Sequence, residues 1–129
     1  MCIRDSSSLS PGLTGATLTP TVFGSASEAS TVTLYYDAAC STAKSTPVAN
    51  TVFATPGIAV NAVVNSDGPT TIYGKAVDPA GNVSICTTLA TYNNDSTSPT
   101  VSNVSSSLVN GSYRVGQVVP VNILSLIHI

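Results

Sequence analysis

Short segments of alternating polar and apolar residues, each closed by a cluster of turn-forming residues, recur along most of this chain. The clearest is 31–37 (TVTLYYD), where Val32, Leu34 and Tyr36 fall on one face. Residues 57–65 (GIAVNAVVN) repeat the pattern with Ile58, Val60 and Ala62, and 70–77 (TTIYGKAV) with Ile72, Gly74 and Ala76. A period of two sends successive side chains to opposite faces of a strand, so one face is marked for burial. Residues 17–24, 51–54 and 83–92 are read as further strands. Pro20 interrupts the first of these, because proline cannot donate to a ladder. Ser66-Asp67-Gly68-Pro69 and Asp78-Pro79-Ala80-Gly81-Asn82 are turns by composition. No segment carries helical periodicity. About seven short strands at close spacing predict an all-β fold, an antiparallel sandwich of two sheets.

Composition agrees with this pattern and narrows the function classes. Charged residues make up 8% of the chain and hydrophobic residues 43%. Low charge with abundant Thr, Ser and Val favours strands, and a disordered tail would be more charged and less apolar. No apolar run approaches the ~18 residues of a membrane span, so no membrane insertion is expected. Lys44, Lys75 and Arg114 are far apart, so no basic cluster marks a nucleic-acid surface.

The two ends, MCIRDS and LSLIHI, read as one short DNA tag translated from opposite strands. CTG TCT CTT ATA CAC ATC encodes the last six residues. Its reverse complement, read one base in, encodes Met-Cys-Ile-Arg-Asp. The tag resembles the transposase end sequence used to prepare sequencing libraries, so 1–6 and 124–129 are expected to be scars and the chain a fragment. Setting them aside removes Cys2 and His128, the only histidine. Arg4 and Asp5 leave together, so the net charge stays at −2. The expected organisation is a linker or the end of a preceding unit at 7–16 and a sandwich domain at 17–93. A second linker at 94–99 leads to the truncated start of another unit at 100–123, with a turn at Asn110-Gly111.

Three stretches carry a resemblance: YYDAAC (35–40), AVDPAGNVSIC (76–86) and NNDSTSPTV (93–101). They resemble bacterial immunoglobulin-like repeats, which occur in tandem in large surface proteins and adhesins and as spacers in secreted enzymes. The D-x-x-G-N hairpin at Asp78, Gly81 and Asn82 and the D-S-T-x-P join at Asp95 to Pro99 are its most characteristic pieces. The resemblance implies an immunoglobulin-like antiparallel β-sandwich followed by a truncated second repeat. It also implies an extracellular or cell-surface location. Partners are expected to be neighbouring repeats in the same chain, with a host-surface or extracellular ligand engaged through other parts of the parent protein.

Each candidate site has a structural reading beside a chemical one. Cys40 and Cys86, the cysteines left after the tags, are read as a disulfide between the loop after the second strand and the last strand. The alternative is two buried free thiols. With no histidine to activate a thiol or complete a zinc site, no catalytic residue is assigned. Asp78, Gly81 and Asn82 are read as a turn motif, since Asp and Asn bond nearby backbone and Gly supplies positive φ. The competing reading is calcium at a repeat junction, with Asp37, Asp78 and Asp95 as oxygen donors, although their spacing matches no compact calcium loop. No other cofactor is expected. Sequons at Asn82, Asn94, Asn103 and Asn110 are read as products of a composition rich in Ser, Thr and Asn. Lys44 and Lys75 are read as solvated rather than as isopeptide partners. Tyr35 and Tyr36 are read as one surface ring and one core ring. The preferred function is a non-catalytic spacer repeat that supports adhesion. The alternative is an accessory module that binds carbohydrate or protein beside a secreted enzyme, against which stands the absence of Trp.

Overall fold

The computed structural model describes residues 3–126. They fall into two compact units that divide between Ser96 and Thr97. The first unit holds strands β1 (Ile3–Ser10), β2 (Thr14–Gly15), β3 (Thr21–Ala26), β4 (Thr31–Tyr35) and β5 (Val48–Ala49). Helix α1 (Asn50–Ala54), β6 (Ile58–Ala59), β7 (Asp67–Val77) and β8 (Thr87–Asp95) follow. Among the described residues no helix is long and apolar enough to cross a membrane.

Two sheets enclose one core. The smaller has the order β1-β3-β6, and the larger β2-β8-β7-β4-β5. All the pairings are antiparallel except β2 with β8, which is parallel. The alternation in β7 is as expected: Thr70, Ile72, Gly74 and Ala76 are buried, and the residues between them are half-buried. Val32 and Leu34 of β4 are fully buried beside them. Val22, Phe53, Ile58, Val60, Val64, Leu89 and Tyr92 complete the core, with Tyr36 packed against it. Apolar burial of this kind is the main force holding such a unit together.

Four elements differ from the expectation; one of them, the strand read at 83–92, begins only at Thr87, with Val83 making an isolated bridge to Val77. Residues 51–54 were expected as a strand and form α1 instead. Its single turn drives Phe53 into the core against Gly24, where an added Cβ would sit 2.3 Å from the ring. Pro56 then disfavours helical backbone at Thr55, which is extended and ends the helix. Residues 57–65 keep the inward alternation of Ile58 and Val60, yet only Ile58–Ala59 join a ladder. Beyond it the backbone donors turn to three different partners: Val60 N–H to Pro20 O, Asn61 N–H to Lys44 O and Val64 N–H to Leu18 O. Strand 17–24 begins at Thr21, directly after the buried Pro20.

The unit also extends further in both directions than 17–93. Residues 7–16, expected as a linker or the end of a preceding unit, carry half of β1 and all of β2. Arg4 pairs with Ser25 and Ser10 with Thr21, with a register shift between Arg4 and Ser8. Residues 3–6, expected to be scar, therefore form the start of a paired strand. Backbone pairing tolerates many sequences at a sheet edge, so weak alternation there hid the strand. At the other end β8 runs to Asp95, and Asn94 is 2% exposed. The connection to the second unit therefore starts after Ser96.

The second unit has two described strands, β9 (Thr100–Ser105) and β10 (Asn122–Leu126), paired antiparallel. Every side chain of β9 is exposed. Asn110-Gly111, expected as the turn of a hairpin, is a bend between unpaired segments. The ladder starts only at Ser105 opposite Asn122.

Candidate functional site

The larger sheet carries most of the residues singled out in the sequence. At the end of β4 the chain turns on Asp37. Its carboxylate accepts the Ser41 N–H at 2.9 Å, the Ser41 hydroxyl at 3.0 Å and the Thr42 N–H at 3.3 Å. The Cys40 N–H bonds the Asp37 carbonyl at 3.0 Å. The Ser41 backbone bond is the main reason the Asp37 carboxyl titrates below its ordinary value. Cys40 is buried and has φ +48°, the one non-glycine with positive φ among the described residues. A residue with a Cβ resists that region by about 1–2 kcal/mol, so the loop is held there by its bonds.

Cys40 and Cys86 are joined as a disulfide, with Cα atoms 5.8 Å apart. Cys86 immediately precedes β8, whose first residue Thr87 pairs with Gly74 of β7. Strands β4 and β8 flank β7 on opposite sides. Two strand spacings amount to about 9.6 Å, so the loop after β4 leans over β7 to reach its partner. The bond is a covalent strap across the central strand.

Asp78 organises the connection from β7 to β8. Its carboxylate accepts the Asn82 N–H at 2.8 Å and the Asn82 amide at 2.7 Å. Its own N–H bonds the Asn82 carbonyl, and its carbonyl accepts the Gly81 N–H, both at 3.0 Å. The Asn82 side chain is the main cause of a carboxyl held below its ordinary value. Gly81, at φ +87°, closes the turn in a region where a side chain is strained. The turn motif read from the sequence is thus a closed hydrogen-bonded loop.

The three aspartates proposed for calcium are not brought together. Asp78 follows the last residue of β7, whereas Asp95 pairs with Asp67 at its first. An 11-residue strand separates them, a length of about 33 Å. The carboxylates of Asp37 and Asp78 face N–H donors, whose partial positive charge opposes a cation. Among the described residues no group of three or more His, Cys, Asp or Glu is placed to hold a metal ion.

The other candidates are distributed as follows. Asn94 is buried, and its amide donates to Gly15 O at 3.2 Å and Thr17 O at 2.9 Å. It clips the β2 segment to β8 and offers no accessible sequon. The Asn82 amide is engaged by Asp78, while Asn103 and Asn110 are exposed in the second unit. Lys44 stands 5.7 Å above the ring of Tyr36. The Tyr36 hydroxyl donates to Ala62 O at 2.6 Å, and burial pushes its pKa up to about 12. Tyr35 pairs with Tyr73 and Lys75 with Thr33 across the β4–β7 ladder. Two buried serines went unnoticed in the sequence. The Ser45 hydroxyl accepts the Leu34 N–H and the Ser84 hydroxyl accepts the Ala76 N–H, each at 2.9 Å. Each puts a side-chain oxygen into the backbone bonding of a strand, a role that no local pattern announces.

An open cavity of ≈ 270 Å³ lies where β4, β5 and β7 meet the Asp78 turn, lined by Ser30, Thr31, Ala49, Val77, Asp78 and Pro79. Its walls are mostly apolar, and its one charged residue is already committed to Asn82. No family model, no curated protein and no solved structure matches the chain.

Proposed function

We propose that the first unit is an immunoglobulin-like repeat whose work is structural: a non-catalytic spacer in a bacterial secreted or cell-surface protein, holding an adhesive region elsewhere in the parent chain. The strand order is the support for the fold assignment. With β1, β3 and β6 as strands A, B and E, and β4, β7 and β8 as C, F and G, one sheet matches ABE and the other CFG. Helix α1 comes between β5 and β6, where strand D falls in sequence, and packs its Phe53 against Gly24 of β3. Leu34 stands in strand C in place of the tryptophan of antibody domains, and the disulfide joins the loop after C to the start of G instead of crossing between B and F.

One observation carries the spacer reading: the chain enters and leaves at opposite poles. β1 runs away from the pole where Thr31 meets Val77, with Ser8 opposite Phe23 and Ser10 opposite Thr21, and Asp95 pairs with Asp67 at the other pole. Units joined that way stack in line and contact mainly their neighbours. The disulfide fits an oxidising, extracellular setting. The carboxylates of Asp37 and Asp78 are occupied in holding loops. The uninterrupted gene tests this reading. It should encode further units of about this length on both sides, and a solitary unit between unrelated sequences would count against it.

The alternative of an accessory binding module draws on the Tyr35–Tyr73 pair at one end of the β4–β7 ladder and on the cavity at the other end. A glycan array probed with the whole chain distinguishes it, because a spacer gives no hits.

A further inference from the structure

From the topology we infer that the Cys40–Cys86 bond is a load-bearing stop: it limits how far the unit can lengthen under tension. The inference rests on the spacer reading, in which a pull acts between the two poles. Tension entering at β1 runs through β2, β3 and β4 to Cys40. There the covalent path crosses directly to Cys86 and leaves along β8. Residues 41–85 lie off that path. They include β5, α1, β6 and the whole of β7, and with them Phe53, Ile58, Val60, Ile72 and Ala76 of the core. Even after β1 to β4 have been pulled away, this segment carries no load and cannot be drawn out. The strap over β7 also holds both ends of the shielded segment within 5.8 Å, at the place they must occupy for refolding.

The position of the bond makes it effective. The cysteines are 46 residues apart within a unit that ends at Ser96, so about half of the unit is withheld from extension. A bond between neighbouring turns would protect almost nothing. Of the elements left on the path, β2 has the shortest ladder. β2 pairs with β8 through two residues only, reinforced by the Asn94 amide and by the Asn93 N–H to Leu13 O at 2.8 Å.

Single-molecule pulling tests this directly, using the full oxidised chain between marker domains of known length. Unfolding of the oxidised chain should fall short of the Cys40→Ser/Cys86→Ser double variant by about 150 Å, the extended length of 46 residues less the width of the bond. If the variant does not fold, the same chain answers the question while held under force. A dithiol reductant added to the extended oxidised protein cleaves the bond. Cys40 and Cys86 each gain a proton as thiols, the dithiol becomes its cyclic disulfide, and one further step of about 150 Å should appear. Equal lengths with and without the bond, or no added step on reduction, overturn the inference. A parent gene without flanking units would remove the spacer reading but leave this step intact, so the two fail separately.

Discussion

The two units of this chain contain similar residues and reach opposite outcomes. Both are rich in Val, Ser, Thr and Asn, and both pair antiparallel strands. In the first, eleven apolar side chains close into one core, and Val22, Val32, Leu34 and Ile72 lose all contact with solvent. In the second, Val101, Val104, Ile123 and Leu124 are each more than half exposed. A two-stranded ribbon has no opposing layer to bury its apolar face, and such ribbons are marginal in water. Strand-forming composition therefore makes a ladder, but only a second sheet converts the ladder into stability.

The largest effect that can break this comparison lies in the core. Phe53→Ala should destabilise the first unit by about 3–5 kcal/mol, whereas Ile123→Ala should change the stability of the chain by less than about 0.5 kcal/mol. Urea unfolding of both variants checks the pair, and equal losses would erase the distinction between the units. Next comes the strap. Removing the disulfide with Cys40→Ser/Cys86→Ser should cost about 2–4 kcal/mol, read as a lower urea midpoint. An unchanged midpoint would mean the loop over β7 is held by Asp37 alone.

A smaller loss is expected at Asn94. Asn94→Ala leaves Gly15 O and Thr17 O without their donor and should cost about 1–2 kcal/mol. Asn103→Ala, in the exposed β9, should be silent in the same assay. Acid gives the smallest and most specific signal. Asp37 and Asp78 both have folded-state pKa values below the ordinary 3.8. Their contribution is therefore present above that value and is lost as pH falls through the lower, folded one. Asp78→Asn should lower the plateau above pH 6 and, by the same amount, flatten the loss of stability below about pH 4. A steep acid limb of unchanged size in the variant would remove Asp78 as a contributor.

Much of the first unit was legible because its information is local. The alternation of Ile72, Gly74 and Ala76 marks the buried face of β7 without help from the rest of the chain. Asp78, Gly81 and Asn82 mark the turn for the same reason, since the carboxylate bonds only four residues away. The cysteine pairing followed from elimination. What stayed hidden depends on distant partners. Phe53 turns residues 50–54 into a helix because Gly24, far away in sequence, leaves a gap for its ring. Strand β1 is paired largely by backbone, which leaves little trace in side-chain pattern. Residues 60–64 find their acceptors at Leu18, Pro20 and Lys44, three positions in two other segments. Ser45 and Ser84 accept the N–H groups of Leu34 and Ala76, 11 and 8 residues away in sequence, which no local pattern marks. The calcium set failed for a related reason: residues spaced along a chain of strands alternate between poles, and Asp78 and Asp95 ended at opposite ones.

Amide hydrogen exchange on the intact oxidised chain tests the contrast between the units most directly. The account predicts slow exchange at the paired amides of β4, β7 and the middle of β8, under the strap and over the core, and fast exchange throughout β9 and β10. Protection in Thr100–Ser105 as strong as that in Asp67–Val77 would contradict it.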